Sequence, residues 1–535
     1  MPFRHLLAVG TAVFVSGAVL LGVEIAASRV LAPFFGNSLF VWGALIGVVL
    51  TGLAFGYWAG GALADRLPAT GLLLGVMTLA AALVLAIPLV DEPVLELIVS
   101  WDPGPRLDPL LAAVALFGLP SVVMAAVTPI AIRLLARSLA SVGRTAGRLF
   151  AVSTAGSIAG TFATAFFLIP EFGTDQLLGL AATALFACVA LVALVERLPV
   201  AVALGAAGAV AAALASASLA PEVGGTLRGA AAENWSPVYR LRGEEGGTAP
   251  DFAAEDVTVV FSRDTRYHRL AVVDDEDSRY LRFDSSFQSA MFLERPFDTR
   301  FEYTDFFHLG LVYRPAARDV LFVGLGGGSA PKRMWRDFRD LRIHVVELDP
   351  VVVDVAYEHF RLPRDPRLTV DVADGRRFLE RDDRRWDVIA IDAYFADSIP
   401  FHLTTHEFLQ LVRSRLKPGG VVLANVIGAL EGPDSRLFRA LVRTYRTVFP
   451  TVLVHPVGDE NEVALRNIIL VGMEGAAPEQ DFLADRWSEL RASSNGAPDL
   501  ARAIGGRLDG EIPTGDVPAL TDDYAPTDSL LLLGD

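Results

Sequence analysis

Two periodicities divide the chain. Apolar runs separated by short polar breaks occupy roughly residues 6–28, 40–63, 70–90, 109–135, 148–170, 174–195 and 198–220. Each is near the ~20 residues an α-helix needs to cross a hydrocarbon layer of about 30 Å, so the pattern predicts seven membrane helices. Arg4 ahead of an apolar stretch resembles a signal peptide, but with six more spans behind it an uncleaved first helix is expected. After Ala220 the pattern becomes that of an α/β protein. Residues 221–255, rich in Gly, Pro and Glu, read as a linker, and alternating stretches such as "YHRLAVVDD" and "RYLRFDSS" predict a small antiparallel sheet from Val257 to about Phe287. Then apolar strands and helices alternate: "DVLFVGL", a helix from about Ala330, "RIHVVELD", "VVVDVAYEHF", "LTVDVAD", "GRRFLER", "WDVIAIDAY" and "LKPGGVVLANVI". That order predicts a parallel, doubly wound sheet with its ligand at the carboxyl ends of the strands. The expected organisation is a membrane domain over 1–220, a linker over 221–255, a small β domain over 256–310 and an α/β domain over 311–535.

Composition sharpens this division. Hydrophobic residues make up 52% of the chain, high for a water-soluble protein. Up to Ala220 there are 9 Arg and no Lys against 10 Asp and Glu, which leaves 37 cationic against 52 acidic side chains beyond it. About −15 of the net −16 charge therefore lies on the soluble part. That sign repels phosphate backbones, which argues against a nucleic-acid partner and favours a cationic small molecule. Cys188 is the one cysteine, so neither an intramolecular disulfide nor a cysteine zinc site is available, and no metal site is expected.

In the apolar half, "STAGSIAGTFATA" offers small residues that let helix backbones approach closely. Glu24 and Arg29 lie near the end of the first span, where a pair that snorkels to the lipid interface is expected ahead of a polar site inside the bundle. "GGALADR", ending in Asp65 and Arg66, resembles a short loop of major-facilitator transporters. Arg133, Arg137, Arg144 and Arg148 flank one loop, whereas the stretch from Asp91 to Asp108 carries five acids and one Arg. The positive-inside rule then puts the amino terminus in the cytoplasm, and seven spans put the soluble domain outside. Cytoplasm is nevertheless the expectation taken here for the α/β domain, against the charge bias, in a multi-pass protein of the cell membrane with lipid around its helices.

Three successive strand ends carry residues suited to a nucleoside. Gly324, Gly326, Gly327 and Gly328 form the first turn of "VLFVGLGGGSAPKRM", where missing side chains admit a ligand to the backbone. Glu347 ends the second strand, 23 residues after Gly324, where a carboxylate can accept from two ribose hydroxyls. Asp374 and Gly375 end the third, where a carboxylate can meet an adenine amino group. Singly, each reads as a tight turn or a helix cap; in order on successive strands they point to a nucleoside. Ser329 stands where the dinucleotide fingerprint has its third glycine, which suits a cofactor without a pyrophosphate, an S-adenosyl compound, and the absence of G-K-[ST] excludes a P-loop.

From about Tyr267 to Val471 the chain resembles spermidine synthases, aminopropyltransferases with a methyltransferase-like fold, and the whole arrangement resembles the membrane-fused spermidine synthase-like proteins. The matching stretches are "RFDSSFQSAM", "YTDFFHLGL", "VGLGGGS", "VVELDP", "DVADGRRFL" and "DVIAIDAYFADSIPFHLTTHEF". The resemblance implies that Gln288 and the glycine turn hold the nucleoside, Glu347 the ribose and Asp374 the base, and that Tyr303 and Asp305 meet the amine. It implies decarboxylated S-adenosylmethionine as co-substrate with no permanently bound cofactor, a small amine as acceptor, and leaves a homodimer open. The chain departs from the soluble enzymes in two places. Ser329 and Ala330 follow the glycines where an acid is usual, and the catalytic "D-S-S-D" is here "D-A-Y-F-A-D", with Asp392 first, Phe395 in the second acid's place and Asp397 two residues later.

The chemistry explains why acids are wanted. An amine nitrogen attacks the carbon beside a sulfonium, and a carboxylate must take the proton of an amine that is protonated in water. Asp392 and Asp397 are the candidates, and strand-to-helix capping is the plain alternative for Asp392. The leading expectation is a membrane-anchored aminopropyltransferase making spermidine or a related polyamine. An S-adenosylmethionine-dependent methyltransferase and a polyamine or nucleoside transporter with a regulatory binding domain are the alternatives.

Overall fold

The computed structural model describes residues 3–35, 38–67, 70–101, 103–104, 106–136, 139–218, 226–227, 257–284, 286–395, 399–458 and 461–532. The expected linker over 221–255 lies outside the described residues except for 226–227, and Asp397 also lies outside them. The chain divides into two compact units, Met1–Glu222 with Arg263–Arg269, and Val223–Ser262 with Leu270–Asp535.

Seven helices of the first unit are long and apolar enough to cross a membrane: Phe3–Phe35, Leu39–Arg66, Thr70–Trp101, Leu107–Leu135, Ser141–Leu168, Thr174–Val195 and Pro199–Ser218. The count agrees with the hydropathy reading, and the third helix is the largest departure. It runs on through Pro88 and Pro93 to Trp101, so Asp91, Glu92 and Glu96, expected in a loop, lie on its last turns. Apolar residues continue between these acids, Leu95, Ile98 and Val99 being buried, and this keeps the segment packed as a helix. Small residues set the closest helix contact. A Cβ on Gly160 would lie 2.0 Å from the carbonyl oxygen of Ala18, so the first and fifth spans meet backbone to backbone.

The second unit holds two sheets. The first has five strands in sequence order, β1 (Thr226–Leu227), β2 (Val257–Asp264), β3 (Arg269–Asp274), β4 (Ser278–Phe283) and β5 (Ser286–Phe292). The second has seven, β6 (Asp319–Val323), β7 (Arg342–Glu347), β8 (Leu368–Val372), β9 (Trp386–Ile391), β10 (Leu416–Gly428), β11 (Thr451–Pro456) and β12 (Arg466–Met473), in the order β11-β12-β10-β9-β6-β7-β8. The sheet is mixed. Five strands are parallel as expected, but β12 runs antiparallel to both β10 and β11. Only a short connection joins β11 to β12, too short for a crossover helix, so the two form a hairpin at the edge.

Strand composition follows burial. All six residues of β9 are buried, and its charged member, Asp387, accepts the N–H groups of Arg318 and Asp319 at 3.0 and 3.1 Å and Lys417 Nζ at 2.8 Å. Strand order reverses between β6 and β9, and at such a switch point the connections leave in opposite directions and open a crevice. The helix Pro350–Glu358 starts on the Asp349 cap, whose Oδ1 accepts the Val351 N–H at 2.9 Å. It ends with the Phe360 and Leu362 N–H groups both on the Ala356 carbonyl and with Arg361 left-handed at φ 58°.

That left-handed position favours glycine, and Arg361 is exposed. Arg361→Gly is expected to stabilise the protein by about 1 kcal/mol, read as a higher unfolding midpoint in detergent solution. A lower midpoint would show that the arginine side chain contributes more than the backbone strain costs.

Candidate active site

The crevice is built where β6 and β9 end side by side. The Asp392 N–H donates to the Val323 carbonyl at 2.8 Å, and a Cβ on Gly324 would lie 2.1 Å from the Asp392 carbonyl oxygen. With φ at +101°, Gly324 is required on both counts. Gly326 and Gly328 also have positive φ, and Gly328 precedes the helix Ser329–Asp337. The turn is buttressed from three sides. Ser289 Oγ on β5 accepts the Gly327 N–H at 2.9 Å, the Phe360 ring lies where a Cβ on Gly327 would go, and Leu362 does the same at Gly328. The fully buried Lys332 ties that backing segment down, donating from Nζ to the Phe360 carbonyl at 2.8 Å; burial pushes its pKa down to about 7.

Glu347 ends β7 beside this turn. Its Oε2 accepts the Leu325 N–H and its Oε1 the Asp349 N–H, each at 2.9 Å, so the carboxylate is aimed by backbone on both sides. Burial raises its pKa against the pull of these donors. Asp374 follows β8 and caps the helix Gly375–Arg381: Oδ1 accepts the Arg377 N–H at 2.9 Å, and Oδ2 lies 3.0 Å from His402 Nε2. The His402 hydrogen bond, then the Arg377 N–H, hold its pKa below the usual carboxylate value. Gly375 is fixed by packing, since a Cβ there would lie 2.4 Å from Val323. Gln288 on β5 donates from Nε2 to Ser286 Oγ at 3.0 Å.

Asp392 follows β9, with its backbone against Gly324 of the turn. Asn425 on β10 donates from Nδ2 to its Oδ1 at 2.9 Å, and Asn467 on β12 in turn donates to Asn425 Oδ1 at 3.0 Å. The Tyr303 hydroxyl also hydrogen-bonds to Asp392. Burial outweighs both donors and pushes the Asp392 pKa up to about 6. Nearby, the Tyr394 hydroxyl donates to the Asn425 carbonyl and accepts the Ile427 N–H, both at 3.0 Å.

The two residues expected at the amine are parted. Tyr303 and Asp305 share the short helix Tyr303–Phe306, and positions i and i+2 face different ways. Tyr303 reaches Asp392, while Asp305 lies 3.4 Å from Arg333, beside Asp337. Ser289, Lys332, His402, Asn425 and Asn467 were not among the expected residues. Asn425 had a signal, a polar residue inside the apolar run "VVLANVI"; the others have partners that only tertiary structure brings near.

Residues 300–453 match the family model described as the spermine/spermidine synthase domain. The chain is 27% identical over 251 residues to a polyamine aminopropyltransferase of Vibrio vulnificus, covering 45% of this chain and 81% of that one. It is 32% identical over 208 residues to polyamine aminopropyltransferase 2 of Pseudomonas aeruginosa, covering 36% of this chain and 56% of the relative. It is also 36% identical over 158 residues to an eEF1A lysine and N-terminal methyltransferase of Danio rerio, covering 27% of this chain and 22% of the relative. The second unit thus carries a stretch, residues 300–453, that matches the spermine/spermidine synthase domain, and the relatives it resembles are transferases.

The environment of Asp392 leads to a stability test. A carboxyl whose pKa rises from 3.8 to about 6 on folding favours the folded state while protonated, and that contribution is lost as pH rises through about 6. The permanently neutral Asp392→Asn should therefore unfold at a higher temperature than the native protein near pH ~7.5, with the gap closing near pH ~3, below both pKa values. Equal midpoints at both pH values would mean that Asp392 is not desolvated.

Proposed function

We propose that this chain is a membrane-anchored aminopropyltransferase that makes spermidine or a related polyamine from decarboxylated S-adenosylmethionine and a diamine. The observation that carries the reading is Asp392, a carboxylate with a pKa near 6, fixed by Asn425 and Tyr303 and hydrogen-bonded to the strand that leads into the glycine turn. A base that must be ionised near neutral pH and still hold a transferred proton needs a pKa of this order.

In this reading the glycine turn, with Gln288 beside it, receives the nucleoside, the Glu347 carboxylate accepts from the ribose hydroxyls, and Asp374 accepts from the base amino group. The acceptor amine sits at Asp392 and Tyr303. Its lone pair attacks the propyl carbon bonded to the sulfonium: the C–N bond forms, the C–S bond breaks with its electrons going to sulfur, and 5′-methylthioadenosine leaves. The nitrogen's surplus proton passes to Asp392. Asp305, paired with Arg333, has no part in this step. The negative charge of the soluble part draws in a polycationic acceptor. The seven apolar helices anchor the enzyme, with its soluble unit in the cytoplasm where the donor is made.

A second reading, methyl transfer from S-adenosylmethionine itself, is favoured by one feature. Ser329 stands where soluble aminopropyltransferases carry an acid, and an acid there would repel the donor's carboxylate. Purified full-length protein given putrescine and each donor in turn separates the two. Aminopropylated product with decarboxylated S-adenosylmethionine alone is the expected result by mass spectrometry; methylated product alone would replace the proposal.

Asp392→Asn should slow turnover by ~10²-fold or more at saturating substrates while leaving nucleoside affinity nearly intact. The native rate should rise with pH through about 6, because only the ionised carboxylate accepts the proton. Full activity in Asp392→Asn would remove it as the base. Reporter fusions after Ala220 and after Asp535 test the topology. Both should report cytoplasm; activity of a periplasmic reporter at either site would place the unit outside.

A further inference from the structure

The segment that returns from β9 to the helix His406–Ser414 is tied to the chain's carboxy-terminal stretch. His402, on the short helical turn Phe401–Leu403, meets Asp374 through Nε2 and offers its carbonyl to Arg376 Nη1 at 3.1 Å. The same guanidinium grips Asp522 with both prongs, Nη1 to Oδ1 at 2.7 Å and Nη2 to Oδ2 at 2.6 Å. Asp522 also accepts from Thr405 Oγ1 at 2.7 Å, and its N–H donates to Glu407 Oε2 at 3.0 Å. Two residues earlier, Leu520 is fully buried; its carbonyl accepts the His406 N–H at 2.8 Å, and its own N–H donates to Thr444 Oγ1 at 2.9 Å. A lone surface ion pair contributes little, but this one is bidentate, shares its donors with the backbone and is fixed to the core at one end.

The arrangement bears on what Asp374 can read. With one oxygen on the Arg377 N–H and the other at His402, the carboxylate is held in one orientation, and in its ionised form it offers only acceptors. A purine with a 6-amino group can donate to it, whereas a 6-oxo purine would set oxygen against oxygen. Sites built on a directed hydrogen bond reject the analogue that lacks it, provided the protein group cannot turn away.

We propose that Asp522, acting through Arg376 and His402, is a positioning residue that sets the base specificity of the donor site, so that a 6-aminopurine nucleoside is accepted and its 6-oxo counterpart refused. Asp522 lies well beyond residue 453, where the matched transferase domain ends, so this control comes from outside that domain. The inference rests on the reading of Glu347 and Asp374 as a nucleoside site.

Calorimetry on the full-length protein with 5′-methylthioadenosine and 5′-methylthioinosine tests it. The native protein should prefer the adenosine compound by ~10-fold or more, the scale of a hydrogen bond to a charged group. Asp522→Asn and Arg376→Lys, which lose the paired grip, should each reduce that preference by ~5-fold or more, and Asp522→Glu should restore part of it. Glu347→Ala should weaken both compounds and leave the ratio unchanged. A native protein that binds neither compound defeats the nucleoside reading and this inference with it. Native binding with preference, kept in Asp522→Asn, defeats this inference alone, and so does an equal loss for both compounds, which would show that Asp522 only supports the fold.

Discussion

The close approach of two strand ends governs the soluble unit. Gly324 and Asp392 leave adjacent parallel strands on either side of the point where strand order reverses, and their backbones meet so closely that no β-carbon fits on Gly324. One contact therefore sets both the path of the glycine turn and the location of the candidate base. Glu347 follows from it, since its carboxylate is oriented by the Leu325 N–H of that turn. So do Ser289, Phe360 and Leu362, which fill the far side of the turn and leave its near side to the crevice.

How much of this was legible in sequence depended on the range of the cause. The seven apolar helices and the strand and helix order of the α/β unit rest on local periodicity, and they were read in the right number and order; "GRRFLER" coincides with the helix Gly375–Arg381, whereas several span ends lie elsewhere, the first helix running Phe3–Phe35 and the third on to Trp101. The strand-end residues were legible because strand carboxyl ends are where such a fold places ligands. The antiparallel β12 was missed because an apolar strand carries no mark of its direction. The pairing of Tyr303 with Asp392 and of Asp305 with Arg333 was missed for another reason: both residues lie in one motif, and only a short helix sends them to different neighbours. His402 and Asp522 are 120 residues apart and joined through Arg376, a relation that no spacing announces.

Charge and burial act together at Asp392. The donors Asn425 and Tyr303 pull its pKa down, burial pushes it up, and burial wins. Asn425 is itself oriented by Asn467 on the antiparallel β12, so the edge hairpin that departs from the parallel pattern also steadies the candidate base. Glu347 shows the same balance with backbone donors in place of side chains.

Tyr394 carries a consequence for how this protein can vary over evolutionary time. Beyond Ala424, β10 has outrun its parallel partner β9, and the phenolic oxygen serves the Asn425 carbonyl and the Ile427 N–H in the partner's place. Phenylalanine differs by that one oxygen and is ordinarily among the mildest exchanges for tyrosine. Here it would leave a backbone donor and a backbone acceptor without that partner, one of them on the residue that steadies Asp392. Copies of this protein that still use the site should keep the hydroxyl, which makes Tyr394 a marker for them.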